Sequence, residues 1–188
     1  MRPIYAAIFA AITLLPGNTP VQCDLHPSLR HHNTTGRDGA GLCVFWSIAH
    51  SARYQNDREA FDLAVKMQRE DGGGWPEKVD RMMRKYAPGV RYVQHTKGDI
   101  EFLRQALRTG RPAAVTYDGR DPHYGPRSVA HMVNLVELTD THAVILDNNF
   151  PDEYVKLSIE DFAARWRAKG GGWAVVLLHA PPAPVPRN

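Results

Sequence analysis

The apolar positions of this chain change period about halfway along it. Over residues 43–55 they recur at helical spacing: Val44, Ile48 and Ala52 share one face, with Phe45 and Ala49 beside them. A second helical pattern opens at Asp57-Arg-Glu, carries Phe61, Leu63, Ala64 and Met67, and stops at Asp71-Gly-Gly-Gly74. A third starts with Pro76, in the first turn where its missing N–H is not needed, and turns Val79, Met82 and Met83 inward until Ala87-Pro-Gly89. A short strand over 90–94 follows. Asp99 then caps a helix through Phe102, Leu103, Ala106 and Leu107, closed by Gly110. Beyond it the runs shorten and read as strands: 111–117, 130–138, 143–146 and 173–178. Thr139-Asp-Thr-His142 joins the second and third as a hairpin. A helix over 158–168, opened by the capping pattern Ser158-Ile-Glu-Asp161, separates the last two. Residues 118–128 form a Gly- and Pro-rich loop. Helices dominate the first half and an antiparallel sheet the second, which predicts an α+β fold rather than alternating βαβ units.

The chain has 188 residues, 43% of them hydrophobic and 23% charged, which suits one globular domain with a real core. The net charge of +3 is spread without any Lys/Arg run, so no nucleic acid partner is expected. Two cysteines, Cys23 and Cys43, exclude a disulfide scaffold and leave one bridge between them as an option. Residues 1–20 open with a positive charge and a mostly apolar run to Leu15, followed by Pro16-Gly-Asn-Thr-Pro20. That is the layout of a secretory signal, and it predicts export to the periplasm or the extracellular space of a bacterium. An ordinary apolar helix on a cytoplasmic protein is the competing reading. The run is short for a membrane span, and no other segment suits one. Residues 21–35 form a polar segment, 36–180 the domain, and 181–188 a proline-rich tail expected to be extended and disordered.

Three residues stand out for chemistry because each sits at the end of an element. Cys43 lies at the mouth of the first helix, where the helix dipole acidifies a thiol. Gly39, Ala40 and Gly41 before it let the backbone turn tightly, so that N–H groups, with that of Cys43, can face an oxyanion. His131 heads the apolar strand Met132-Val-Asn-Leu-Val136 beside the breaker-rich loop, a suitable place for a general base. Asp147 ends the next strand, and a hairpin would bring it beside His131, with Asn148 as the alternative orienter. A slip of one residue would swap the face it shows. The competing readings are a structural cysteine, a Cys23–Cys43 bridge, a histidine at a strand edge and an Asp-Asn-Asn turn.

Trp75, after three glycines, is expected to line a substrate groove, with Gly41, His123 and Tyr124 as further substrate contacts. Trp46, Trp166 and Trp173 read as packing. Cys23, Asp24, His26, His31 and His32 match no compact metal-site spacing, so neither a metal nor another cofactor is expected.

The helix-borne Cys43, the strand-borne His131 and Asp147 sixteen residues later resemble the papain-like cysteine peptidase superfamily, most closely its bacterial C39-like group. Also similar are the helix 102–107, Gly110-Arg-Pro112, His131-Met-Val-Asn-Leu-Val136 and Ala143-Val-Ile-Leu-Asp147, so the resemblance spans roughly residues 36–178. It implies a papain-like fold in which an N-terminal helical half carrying the Cys helix packs on a C-terminal antiparallel sheet. It also implies a peptide or protein substrate, with Cys43 as nucleophile, His131 as base and Asp147 as orienter. Two positions depart from the group's pattern. Arg37, with Asp38 next to it, stands where that group has the glutamine that donates to the oxyanion, so either Arg37 serves as donor, another residue does, or the hole is made of backbone alone. Asn148 stands where it has proline. The alternatives are a transglutaminase-like acyl transferase or amidase, and an inactive papain-like binding module.

Overall fold

The structure is a computed structural model that describes residues 22–179. After a single 3-10 turn at Pro27–Leu29 come α1 (Cys43–Tyr54), α2 (Arg58–Met67), α3 (Pro76–Tyr86), β1 (Tyr92–His95), α4 (Ile100–Arg108), β2 (Ala113–Gly119), β3 (Val129–Leu138), β4 (His142–Leu146), β5 (Tyr154–Ser158), α5 (Ile159–Ala168) and β6 (Ala174–Leu177). The caps form as the sequence predicts. Asp57 accepts from the Ala60 N–H, Asp99 from that of Glu101 and Ser158 from that of Asp161. One element goes unpredicted: β5 is five residues long and runs directly into the Ser158 cap, so its alternation of buried Val155 and Leu157 is too short to stand out.

The six strands make one antiparallel sheet in the order β1-β6-β2-β3-β4-β5. Its central strands are apolar at both parities, so both faces need cover. Ala114, Met132, Val175 and Leu177 pack with Phe45, Ile48, Leu63 and Met83 of α1–α3. Val115, Val133, Leu135 and Ile145 pack on the reverse face with Leu103, Leu107, Phe162 and Trp166 of α4 and α5. The helical half therefore supplies one layer, while the two later helices supply the other.

Buried polar side chains set the position of α1 along β3. Ser47 donates to the Met132 carbonyl at 2.9 Å and Ser51 to that of Pro112 at 2.9 Å. Asn134 donates to the Ser47 carbonyl at 2.8 Å and to the Ser51 hydroxyl at 2.9 Å. Apolar contacts alone permit sliding; directional bonds in a dry interface do not. This ladder fixes the start of α1, and with it Cys43, against the start of β3.

Both cysteines are free, so the Cys23–Cys43 bridge is excluded. Cys23 is a core residue whose thiol burial pushes up to about 12, against the opposing effect of a hydrogen bond with Tyr54. Among the described residues no helix is long and apolar enough to cross a membrane. The signal pattern of residues 1–20 and the proline-rich tail 181–188 lie outside the described residues.

Candidate active site

The chain enters α1 through a narrow hairpin. Thr35 and Gly41 form an antiparallel bridge, the Leu42 N–H donates to the Thr34 carbonyl at 2.9 Å, and the Gly36 N–H donates to that of Ala40 at 2.8 Å. The Trp46 indole N–H clamps this hairpin through the Thr34 hydroxyl at 2.8 Å. The glycine loop of residues 72–74 packs against it so closely that a Cβ at Gly72 would collide with the Ala40 carbonyl, and one at Gly74 with the Val44 side chain. The buried Lys78 ammonium holds the loop by donating to the carbonyls of Asp71 and Gly72.

Cys43 is the first residue of α1, and it lines the same groove as the His131 ring, which is close enough to lower the pKa of its thiol. The Nε2 of His131 lies 2.8 Å from Oδ1 of Asp147. An ionised carboxylate only accepts, so Nε2 carries the proton on that side and Nδ1 is the nitrogen left to serve the thiol. Asp147 is buried and holds two further bonds: the Asn149 N–H at 2.8 Å on Oδ1 and the Tyr124 hydroxyl at 2.7 Å on Oδ2.

These contacts decide the protonation states. Burial alone would raise the Cys43 thiol, but the bond to His131, its positive charge and the N–H groups of Met132 and Val44 bring the pKa below the ordinary value. Burial alone would lower His131, but the bonds and negative charges of Asp147 and Cys43 raise it to about 9. Asp147 is lowered despite its burial, mainly by the bond and charge of His131. The arrangement favours thiolate beside imidazolium, which is a nucleophile with its proton donor in place.

The sulfur opens into a groove of about 570 Å³ between the start of α1, the glycine loop and the sheet. Gly41 and Trp75 line it, and Trp75 is 48% exposed at its edge. Val44, Met132 and Trp173 add apolar wall, while Asn33, Thr116, Asn149 and Lys169 add polar groups that sequence reasoning missed.

Four expectations are corrected. His123 and Tyr124 do not line the groove, because their loop folds back behind Asp147. His123 stacks on Phe150 with ring centroids 4.1 Å apart and lies 2.8 Å from Glu153, while Tyr124 packs its ring over Gly119 and bonds Asp147. Arg37 sits at the tip of the entry hairpin, outside the groove, with an exposed side chain paired to Asp71 at 2.8 Å. Asn148 turns away from His131 and donates to the carbonyls of Cys43 and Met132, each at 3.0 Å, joining the ladder that holds α1. A lone amide inside an otherwise apolar strand, Asn134, was the sequence signal for that ladder. The residues Cys23, Asp24, His26, His31 and His32 are dispersed; His31 stacks on Trp46, with ring centroids 5.4 Å apart.

No family model and no curated protein matches the chain. Among solved structures it is similar to a crystal structure described as that of a "putative C39-like peptidase from Bacillus anthracis", with a TM-score of 0.57. The match covers 82% of this chain and 96% of that one at 17% identity, a likeness of fold. The fold is papain-like. In this fold the groove lies where the helical layer meets the start of β3, and Cys43 of α1 and His131 of β3 both line it.

Proposed function

We propose that the chain is a cysteine hydrolase that cleaves a peptide or amide bond with Cys43, His131 and Asp147. The observation that carries this reading is the placement of the Cys43 thiol and the His131 ring in one open groove, with the ring bonded to the buried Asp147 carboxylate at 2.8 Å. The likeness to a C39-like peptidase fold supports it.

The thiolate attacks the carbonyl carbon; an S–C bond forms and the π pair moves to oxygen. As the oxyanion collapses, the C–N bond breaks and His131 gives its Nδ1 proton to the departing amine. Water then attacks the thioester and His131 takes its proton. The S–C bond breaks, and the acid leaves with the thiolate restored. Asp147 keeps the ring oriented and stabilises its charge throughout. Walls of Val44, Met132, Trp75 and Trp173 suit an apolar side chain of an extended peptide. The pattern of residues 1–20 supports export as the setting.

Iodoacetamide at neutral pH tests the reading. Labelling of Cys43 should abolish cleavage of a mixed peptide library, as should Cys43→Ala. A Cys43 that resists labelling, or a Cys43→Ala protein that still cleaves, overturns it. Hydroxylamine in the same assay distinguishes hydrolysis from transfer of the acyl group to an amine.

A further inference from the structure

We propose that Asn33 supplies the side-chain donor of the oxyanion hole; this rests on the reading of Cys43 as nucleophile. A tetrahedral intermediate formed at Cys43 places negative charge on oxygen, and fixed donors aimed at that oxygen are a major source of acceleration. The N–H of Cys43 is one such donor, because the first N–H groups of a helix have no partner within it. Arg37 cannot be the other, because the hairpin tip carries it away to Asp71.

The register of that hairpin names the alternative. Thr35 pairs with Gly41, and Thr34 accepts from Leu42, so one further step sets Asn33 opposite Cys43. Asn33 lines the groove with Cys43 and Gly41, and its Nδ2 lies 3.4 Å from where a Gly41 Cβ would stand. Nδ2 has two hydrogens. One donates to Oδ1 of Asn149 at 3.1 Å, which fixes the amide and leaves the second for a substrate oxygen. Asn149 in turn donates to the Tyr124 hydroxyl at 3.0 Å, and Tyr124 to Asp147 at 2.7 Å. The donor is thus braced by the same network that orients His131.

The test separates two reactions of one thiol. Alkylation by iodoacetamide develops no oxyanion; acylation by p-nitrophenyl acetate does. In Asn33→Ala, and in Asn33→Leu, which keeps the branched shape without the amide, acylation should fall by about 100- to 1000-fold, while the alkylation rate and its pH profile stay as in the wild type. Acylation at the wild-type rate in the variants overturns the assignment. So does a parallel fall of both reactions, which would mean that Asn33 only supports the thiolate. A wild-type Cys43 that neither alkylates nor acylates overturns the hydrolase reading itself, and the assignment with it.

Discussion

Asp147 shares a face of the β3–β4 hairpin with His131 because Val136 is bulged out of the ladder between them. From the turn, Leu138 pairs with Ala143 and Glu137 with Val144; past the bulge, Leu135 pairs with Ile145 and Asn134 with Leu146. The first register, continued, would set Asp147 opposite Asn134, with its side chain on the face away from His131. The shifted register sets it opposite Val133, diagonal to His131 on the same face, and the Nε2–Oδ1 distance is 2.8 Å. The Val136 carbonyl, displaced from the ladder, accepts from the Cys23 N–H at 2.8 Å. A bulge here re-aims a side chain at the site, a common use of the motif.

The thiolate–imidazolium pair sets a pH window. Activity should rise with pH through the lowered pKa of Cys43 and fall again near 9 as His131 loses its proton. Stability follows the same groups. The folded pKa of His131 lies above its unfolded value of about 6.5, so its contribution is full below that value and is lost as pH rises through 9. Asp147 is lowered, so its contribution is present above about 3.9 and is lost as pH falls through its depressed value. Alkylation rates and thermal unfolding across pH check both limbs. In Cys43→Ala the alkaline limb of stability should move to lower pH, because the thiolate no longer holds the His131 proton.

Tyr124→Phe removes one hydroxyl from Asp147 and leaves the ring on Gly119. A hydrogen bond to a charged group contributes about 1.5–3 kcal/mol, and unfolding in urea should show a loss of that order. The Asp147 pKa should rise and turnover should fall, with substrate KM unchanged because Tyr124 is outside the groove. An altered KM at constant turnover would return Tyr124 to substrate binding.

Asn148→Ala should be mainly a stability defect. It removes the Asn148 donor from the Cys43 carbonyl at a buried junction, while the Met132 carbonyl and the Ser47 hydroxyl keep their bond to each other. Each buried group left unpaired costs about 1–3 kcal/mol. NMR titration of the His131 ring should still show a raised pKa in the folded variant. An ordinary pKa there with full stability would identify Asn148 as the orienter after all.

Arg37→Ala should leave turnover unchanged, because its guanidinium meets only Asp71 at the surface. A large loss of turnover without a change in folding would put Arg37 back at the oxyanion.

The helices, most strands and their caps were legible because each depends on neighbours a few residues away: Asp57, Asp99 and Ser158 bond N–H groups within the next turn. Cys43, His131 and Asp147 were legible because each stands where a period begins or ends. Arg37 misled because a fixed offset from Cys43 takes no account of the tight Thr35–Gly41 hairpin, which reverses the chain and brings Asn33, farther back in sequence, to the groove that Cys43 lines. His123 and Tyr124 misled because a loop's composition does not say on which side of a strand it folds.

The amino-acid sequence by itself determined an α+β chain with a thiol at a helix mouth, an imidazole at a strand start and a carboxylate at a strand end. Local periodicity and capping are enough for that. Only the tertiary structure decided that the carboxylate faces the ring, through a bulge at Val136 tied to Cys23, and that Asn33 rather than Arg37 lines the groove with Cys43. Register and face are set by contacts between residues far apart in the chain, and one residue of slip, invisible in any short window, exchanges the side chain that reaches the site for one that does not.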